Sequence, residues 1–166
     1  LSLKAIGVTS HDEVIVPDIT FGATAMAVKL SGAKLVIADI DKESLSFDFQ
    51  DLKKKINKKT KAIIPVHISG RSANMILLKK LARKKRIYLV EDAAEAFFSK
   101  YKNSFLGTIG DVGCFSLTAS KIITTGQGGI IVTNNTKIYK KIKLLKNQGV
   151  LGQSDGGDVK HVTEGY

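Results

Sequence analysis

The chain has 166 residues, 43% of them hydrophobic and 25% charged, with one cysteine, Cys114. These values fit one globular domain and exclude a disordered chain, an internal disulfide framework and a cysteine-clustered zinc site. The formal charge of +11 arises from 23 Lys and only three Arg (Arg71, Arg83 and Arg86). Arg is the fork that matches phosphates and base edges, so the Lys-heavy excess is expected to cover solvated helix faces and not to bind nucleic acid. No apolar run approaches the roughly 20 residues needed to cross a bilayer. Residues 1–10 lack the charged and apolar regions of a secretory leader. The expectation is a cytoplasmic protein with no membrane span and no metal site.

Residues 1–8 read as the end of a helix leading into a first strand at 13–16. Further strands are expected at 34–40, 62–68 and 87–91, all short and nearly continuously apolar, as for strands buried on both faces. Between them, 24–30, 48–56 and 73–85 place apolar residues at helical intervals. This alternation predicts a three-layer α/β fold, a mostly parallel sheet flanked by helices. Beyond Asp92, residues 97–101 and 104–106 flank a turn at Lys102 and Asn103. Strands at 113–117 and 129–133 follow, then a helix at 137–148 with Gly149 as its C-cap. The remainder has no periodicity. Both ends read as cut, so the chain is expected to be a single partial domain, 1–166, incomplete at both termini.

Ligands of open parallel sheets bind outside the carboxyl ends of the strands. Phe21 follows the first strand there, His67 closes the third, Glu91 and Asp92 close the fourth, and the stretch from Ser116 to Lys121 follows a later one. A carboxylate, an imidazole, hydroxyls, an aromatic ring and an amine suit an anionic, aromatic cofactor better than a metal. Adjacent carboxylates on a strand face opposite ways, so Glu91 and Asp92 are not an acid–base pair. One of them points into the site and needs a cationic partner, such as a protonated pyridine nitrogen; the alternative is an Asp92 that caps the next turn. Lys121 sits in a Ser/Thr-rich loop before Gly126, Gly128 and Gly129, unlike the lysines of the helix faces. Partly desolvated, its amine can lose a proton and attack an aldehyde. Ser116 and the loop amides can hold a phosphate.

Asp92-Ala-Ala-Glu95, Gly110-Asp-Val-Gly-Cys-Phe-Ser116 and Lys121-Ile-Ile-Thr-Thr-Gly-Gln-Gly-Gly129 resemble the pyridoxal-phosphate-dependent nucleotide-sugar aminotransferases of the DegT/StrS type. Asp12-Glu-Val-Ile-Val-Pro17, Thr20-Phe-Gly-Ala-Thr-Ala25, Lys61-Ala-Ile-Ile-Pro-Val-His67 and the closing Gly165-Tyr166 fit the same family in order. The resemblance is strongest to the perosamine synthase branch and covers essentially the whole chain.

The resemblance implies the large domain of an aspartate aminotransferase-like, fold type I enzyme. It implies transfer of an amino group, from glutamate, to a nucleotide-linked keto sugar in cell-surface polysaccharide or amino-sugar biosynthesis, by a homodimer. Lys121 would form the Schiff base with the cofactor aldehyde and shuttle the proton, and Asp92 would pair with the pyridinium nitrogen. Glu95 would approach the ring hydroxyl, Ser116 the phosphate, and Phe21 would stack on the ring. His67 lies near the site without an assigned step, a hydrogen-bonded structural histidine being the alternative. Sugar-deoxygenating relatives carry histidine in place of the lysine, which Lys121 argues against. A non-catalytic truncated or regulatory protein that keeps the fold is the remaining alternative. Gln127 and Asn74 depart from the family's usual Glu and Asp. The family's Gly-Thr phosphate turn and small C-terminal domain are expected to lie outside these residues.

Overall fold

In the computed structural model, which describes residues 1–149, the elements run α1 (Ser2–Ala5), β1 (Glu13–Pro17), α2 (Gly22–Leu30), β2 (Lys34–Ala38), α3 (Phe49–Lys55), β3 (Thr60–Ile63), α4 (Met75–Lys85), β4 (Tyr88–Asp92), β5 (Lys100–Tyr101), β6 (Ser104–Phe105), β7 (Val112–Ser116), β8 (Gly129–Val132) and α5 (Thr136–Lys146). The main sheet is ordered β2-β1-β3-β4-β7-β8. Every neighbouring pair is parallel except β7 with β8. The sheet grows outward to β2 on one side of β1 and to β3 on the other, so its order reverses between β1 and β3. A doubly wound sheet opens its ligand crevice at such a point.

Strand alternation divides the core into two layers. Ile15, Ile63 and Leu89 face one side and pack with Leu52 of α3 and Met75, Leu78 and Leu81 of α4. Val14, Val16, Ala62 and Val90 face the other and meet Leu3 of α1, Val28 of α2 and Ile138 of α5. Burial on both faces is why β1 reads as one unbroken apolar run. Polar side chains set the helix starts: Asp48 accepts from the Asp51 amide, Asn74 from that of Leu77, and Asn135 from those of Lys137 and Ile138. The charge run from Arg83 to Arg86 is exposed at the C-terminal end of α4, where cations complement the free carbonyls.

Several elements differ from the expectation. The strand expected at 34–40, buried on both faces, is instead the sheet edge: β2 stops at Ala38 and leaves Lys34 and Ile37 exposed. The strand expected at 62–68 breaks after Ile63, because Pro65 has no N–H for the ladder. The chain then touches β4 only through a Val66–Asp92 bridge before a 3₁₀ turn at Ile68–Gly70. Asn74 delays α4 to Met75, and α2 starts early, at Gly22. The expected hairpin shrinks to β5 and β6, two residues each, with Lys102 at φ +53° in the turn. After α5, Gln148 and Gly149 both take positive φ, and the Gly149 amide closes onto the Leu144 carbonyl at 3.0 Å. Gly165 and Tyr166 lie outside the described residues.

Gly113 of β7 lies directly beneath the Gly107 carbonyl, inside the space a Cβ would occupy. Gly113→Ala is therefore expected to lower the unfolding free energy by about 1–3 kcal/mol. Gly22→Ala, whose methyl would meet nothing within 4 Å, should hold or slightly raise it. Urea midpoints of the two variants check the contrast.

Candidate active site

A short relay of side chains joins the segment after β1 to the carboxyl end of β4. Asp92, the last residue of β4, accepts a hydrogen bond on Oδ2 from the Thr24 hydroxyl at 2.6 Å. Thr24 lies one turn along from Thr20, and the two hydroxyl oxygens are 2.7 Å apart. A hydroxyl has one proton and Thr24 spends it on the carboxylate, so Thr20 donates to Thr24. Asp92 Oδ1 accepts from the Ala94 amide at 3.1 Å. One Asp92 oxygen thus caps the next turn, as the second reading of this residue expects, and the other is held toward α2 by a hydroxyl. Phe21, the N-cap of α2, leaves its ring 82% exposed beside this relay.

Lys121 approaches from the loop after β7. Its side chain is 23% exposed, and Nζ lies 3.5 Å from Glu95 Oε1. The other Glu95 oxygen accepts from the Ser69 amide at 2.9 Å. Ser69 has φ +49°, a conformation that turns this amide in the tight bend after β3. The Ser69 N–H, with Lys121 adding its charge, holds the Glu95 carboxyl below its ordinary 4.5. Gly126 and Gly128, at φ +80° and +126°, fold the loop back so that Leu117 bonds the Gly128 carbonyl and Thr125 bonds that of Leu117. Ser116 Oγ, at the end of β7, is 3.2 Å from the Thr118 hydroxyl. The Ala93 amide bonds the Cys114 carbonyl at 2.8 Å, which sets the Asp92 turn beside β7.

Glu91 faces the opposite way, as strand alternation requires, and is 0% exposed. Its Oε1 accepts from the amides of Ile109 (2.7 Å) and Gly110 (2.6 Å). Its Oε2 accepts from the Gly107 amide (2.8 Å) and meets His67 Nε2 (3.0 Å). Burial pushes the Glu91 carboxyl up, but His67 and the loop amides outweigh it and leave it below 4.5. An ionised carboxylate only accepts, so the network assigns a proton to His67 Nε2. His67 is 1% exposed, and its Nδ1 is buried without a partner.

Lys121, Glu95, Asp92, Ser116 and Phe21 thus lie at one end of the sheet, while His67 is drawn to Glu91 in the buried layer. Sequence reasoning missed Thr24, Thr20 and the Ser69 amide. The four-residue spacing of Thr20 and Thr24 at a helix start was the visible signal. A separate groove of about 820 Å³, lined by Lys61, Lys79, Arg83 and Arg86 among others, opens at the amino ends of β3 and β4, away from these residues. Among the described residues, no group of three or more His, Cys, Asp or Glu gathers as a metal site would, and no helix is long and apolar enough to cross a membrane.

The DegT/DnrJ/EryC1/StrS aminotransferase family matches residues 1–166. A GDP-perosamine synthase of Escherichia coli O157:H7 is 42% identical over 150 residues, 90% of this chain and 41% of the relative. One of Vibrio cholerae is 44% identical over 151 residues, 91% of this chain and 41% of the relative. The chain thus spans about two-fifths of the length of these relatives. Among solved structures, an aminotransferase from Psychrobacter cryohalolentis superposes with a TM-score of 0.92 at 31% identity, covering 99% of this chain and 44% of that one. A PLP-form structure from Streptococcus pneumoniae, named as a sugar aminotransferase, gives 0.90 at 31% identity, covering 99% and 46%.

Glu91→Gln replaces an acceptor with an amide that faces backbone donors, at an expected cost of about 1–3 kcal/mol at pH 7. The folded pKa lies below the ordinary 4.5, so the stability gap to wild type is full above pH 4.5 and shrinks as pH falls through the folded value. Urea unfolding of both proteins in steps from neutral to acid pH checks the sign.

Proposed function

The chain belongs to the DegT/DnrJ/EryC1/StrS aminotransferase family, and from that premise we propose that the intact protein is a pyridoxal-phosphate-dependent transaminase. It moves an amino group, from glutamate as donor, onto a nucleotide-linked keto sugar in cell-surface polysaccharide or amino-sugar biosynthesis. The GDP-perosamine synthases that align with nine-tenths of the chain support a nucleotide-sugar substrate. The apolar side chains Phe21, Met26 and Leu30, exposed in and just before α2, support a homodimer or another cover for that face. A thiol, Cys114, with no disulfide among the described residues, is in keeping with a reducing, cytoplasmic setting.

The donor set fits the cofactor. Asp92, held by Thr24, would pair with the pyridine nitrogen and favour its protonated form. Ser116 and Thr118 offer paired hydroxyls for a phosphate. The exposed Phe21 ring offers a face for stacking, and Glu95 would approach the ring hydroxyl. When bound, the cofactor supplies an aldehyde carbon and a ring that accepts electrons. Lys121 Nζ would hold that carbon, with loss of water, and the same amine would carry the proton at the substrate once the donor amine had displaced it. Glu95 aims the amine from 3.5 Å.

One observation carries this reading: among the lysines of the described residues, Lys121 alone is held by Glu95, at the strand end that presents Asp92. Borohydride treatment of the intact protein with pyridoxal phosphate should fix the cofactor on Lys121 and bleach its visible absorbance. Lys121→Ala should lose the fixed adduct and about 10²–10⁴-fold or more of amino transfer. Labelling spread over surface lysines, or a Lys121→Ala variant with unchanged absorbance, would contradict the reading. A protein that keeps the fold and takes up no cofactor would match the non-catalytic alternative.

A further inference from the structure

Glu91 and His67 are buried, charged or polar, and unused by the chemistry above. The single Glu91 carboxylate joins three segments that reach the cofactor edge by different routes. It stands on β4 next to Asp92, meets His67 beyond β3, and accepts from the loop of residues 107–110 that feeds β7. Backbone bonds carry its position onward. The His67 amide bonds the Asp92 carbonyl at 3.0 Å, and the Asp92 amide bonds the Pro65 carbonyl at 2.9 Å. The loop is pressed onto β7, with the Gly107 carbonyl on Gly113 and the Phe115 ring against Gly107, which leaves neither glycine room for a side chain. A shift of this loop therefore moves β7, which ends at Ser116.

We propose that the Glu91–His67 pair is a positioning device that clamps the ends of β3 and β4 and the loop before β7, and so sets the separation of Asp92 from Ser116. The inference deepens the transaminase reading and rests on it for the ligand that spans those two residues. The working atom of His67 is Nε2, because Nδ1 has no partner to lose. A side chain with one N–H at the same reach should therefore substitute, and His67→Gln supplies one. His67→Leu does not.

The test uses the intact protein as wild type, His67→Gln, His67→Leu and Glu91→Gln. Without cofactor, amide hydrogen exchange at Ile109, Gly110 and Asp92 should rise in His67→Leu and Glu91→Gln by about tenfold or more beyond any rise shared with the amides of Val14 and Val16, which report global unfolding. His67→Gln should stay within about threefold of wild type at every amide. Titration should then show the preference for pyridoxal phosphate over pyridoxal falling about tenfold or more in His67→Leu and holding in His67→Gln. A merely structural role would weaken both ligands equally. Wild-type exchange and preference in His67→Leu, equal weakening of both ligands, or a His67→Gln as impaired as His67→Leu would overturn the proposal. A wild type that binds no pyridoxal phosphate would overturn the transaminase reading, while the exchange measurement still decides the clamp.

Discussion

An ionised carboxylate in a fully buried position is costly unless its environment supplies donors, and Glu91 is surrounded by four. Three of them are backbone amides of one loop, so the loop's shape and the charge's burial depend on each other. The carboxylate gives the amides their acceptor, and the amides keep it ionised against desolvation. The rest of the site follows from this exchange. Once the side chain of Glu91 is committed to the buried layer, Asp92 must face the opposite way. There it meets the Thr24 hydroxyl and the open end of the sheet.

The site is then assembled from strand ends. Each contributing residue follows a β-strand directly or within a short turn, and the parallel arrangement brings those ends to one edge. The charges are graded across that edge. Asp92 has two donors, the Thr24 hydroxyl and the Ala94 amide. Glu95 is stabilised by the Ser69 amide and draws Lys121 toward it. An amine and two carboxylates lie together at this edge, and the proposed heterocycle with an aldehyde and a basic nitrogen is argued from that placement.

Much of the fold was legible because burial on both faces leaves unbroken apolar runs, as at Val14, Ile15 and Val16. Which strand lies at the edge was not. The apolar run of β2 resembles that of β1, and only pairing with distant strands decides which one is covered. Pro65 did mark the point where β3 had to leave the ladder, but the apolar residues around it masked the signal. At the site, Lys121 stood out by its loop context, and Asp92 by its place at the end of a strand. The Thr24–Asp92 bond was not readable, since its partners lie 68 residues apart. The role of Glu91 was hidden for a related reason: three of its four partners are backbone amides, which no residue type announces.

The central claim is that Asp92 holds a pyridine nitrogen in its protonated form at this edge. It is tested most directly by the nuclear magnetic resonance shift of an isotope-labelled pyridine nitrogen in pyridoxal phosphate bound to the intact protein. The shift would be followed from about pH 6 to about pH 9 in wild type and Asp92→Asn. The account predicts a protonated nitrogen throughout in wild type and an unprotonated one in Asp92→Asn. An unprotonated nitrogen in wild type, or a shift indifferent to the substitution, would contradict it.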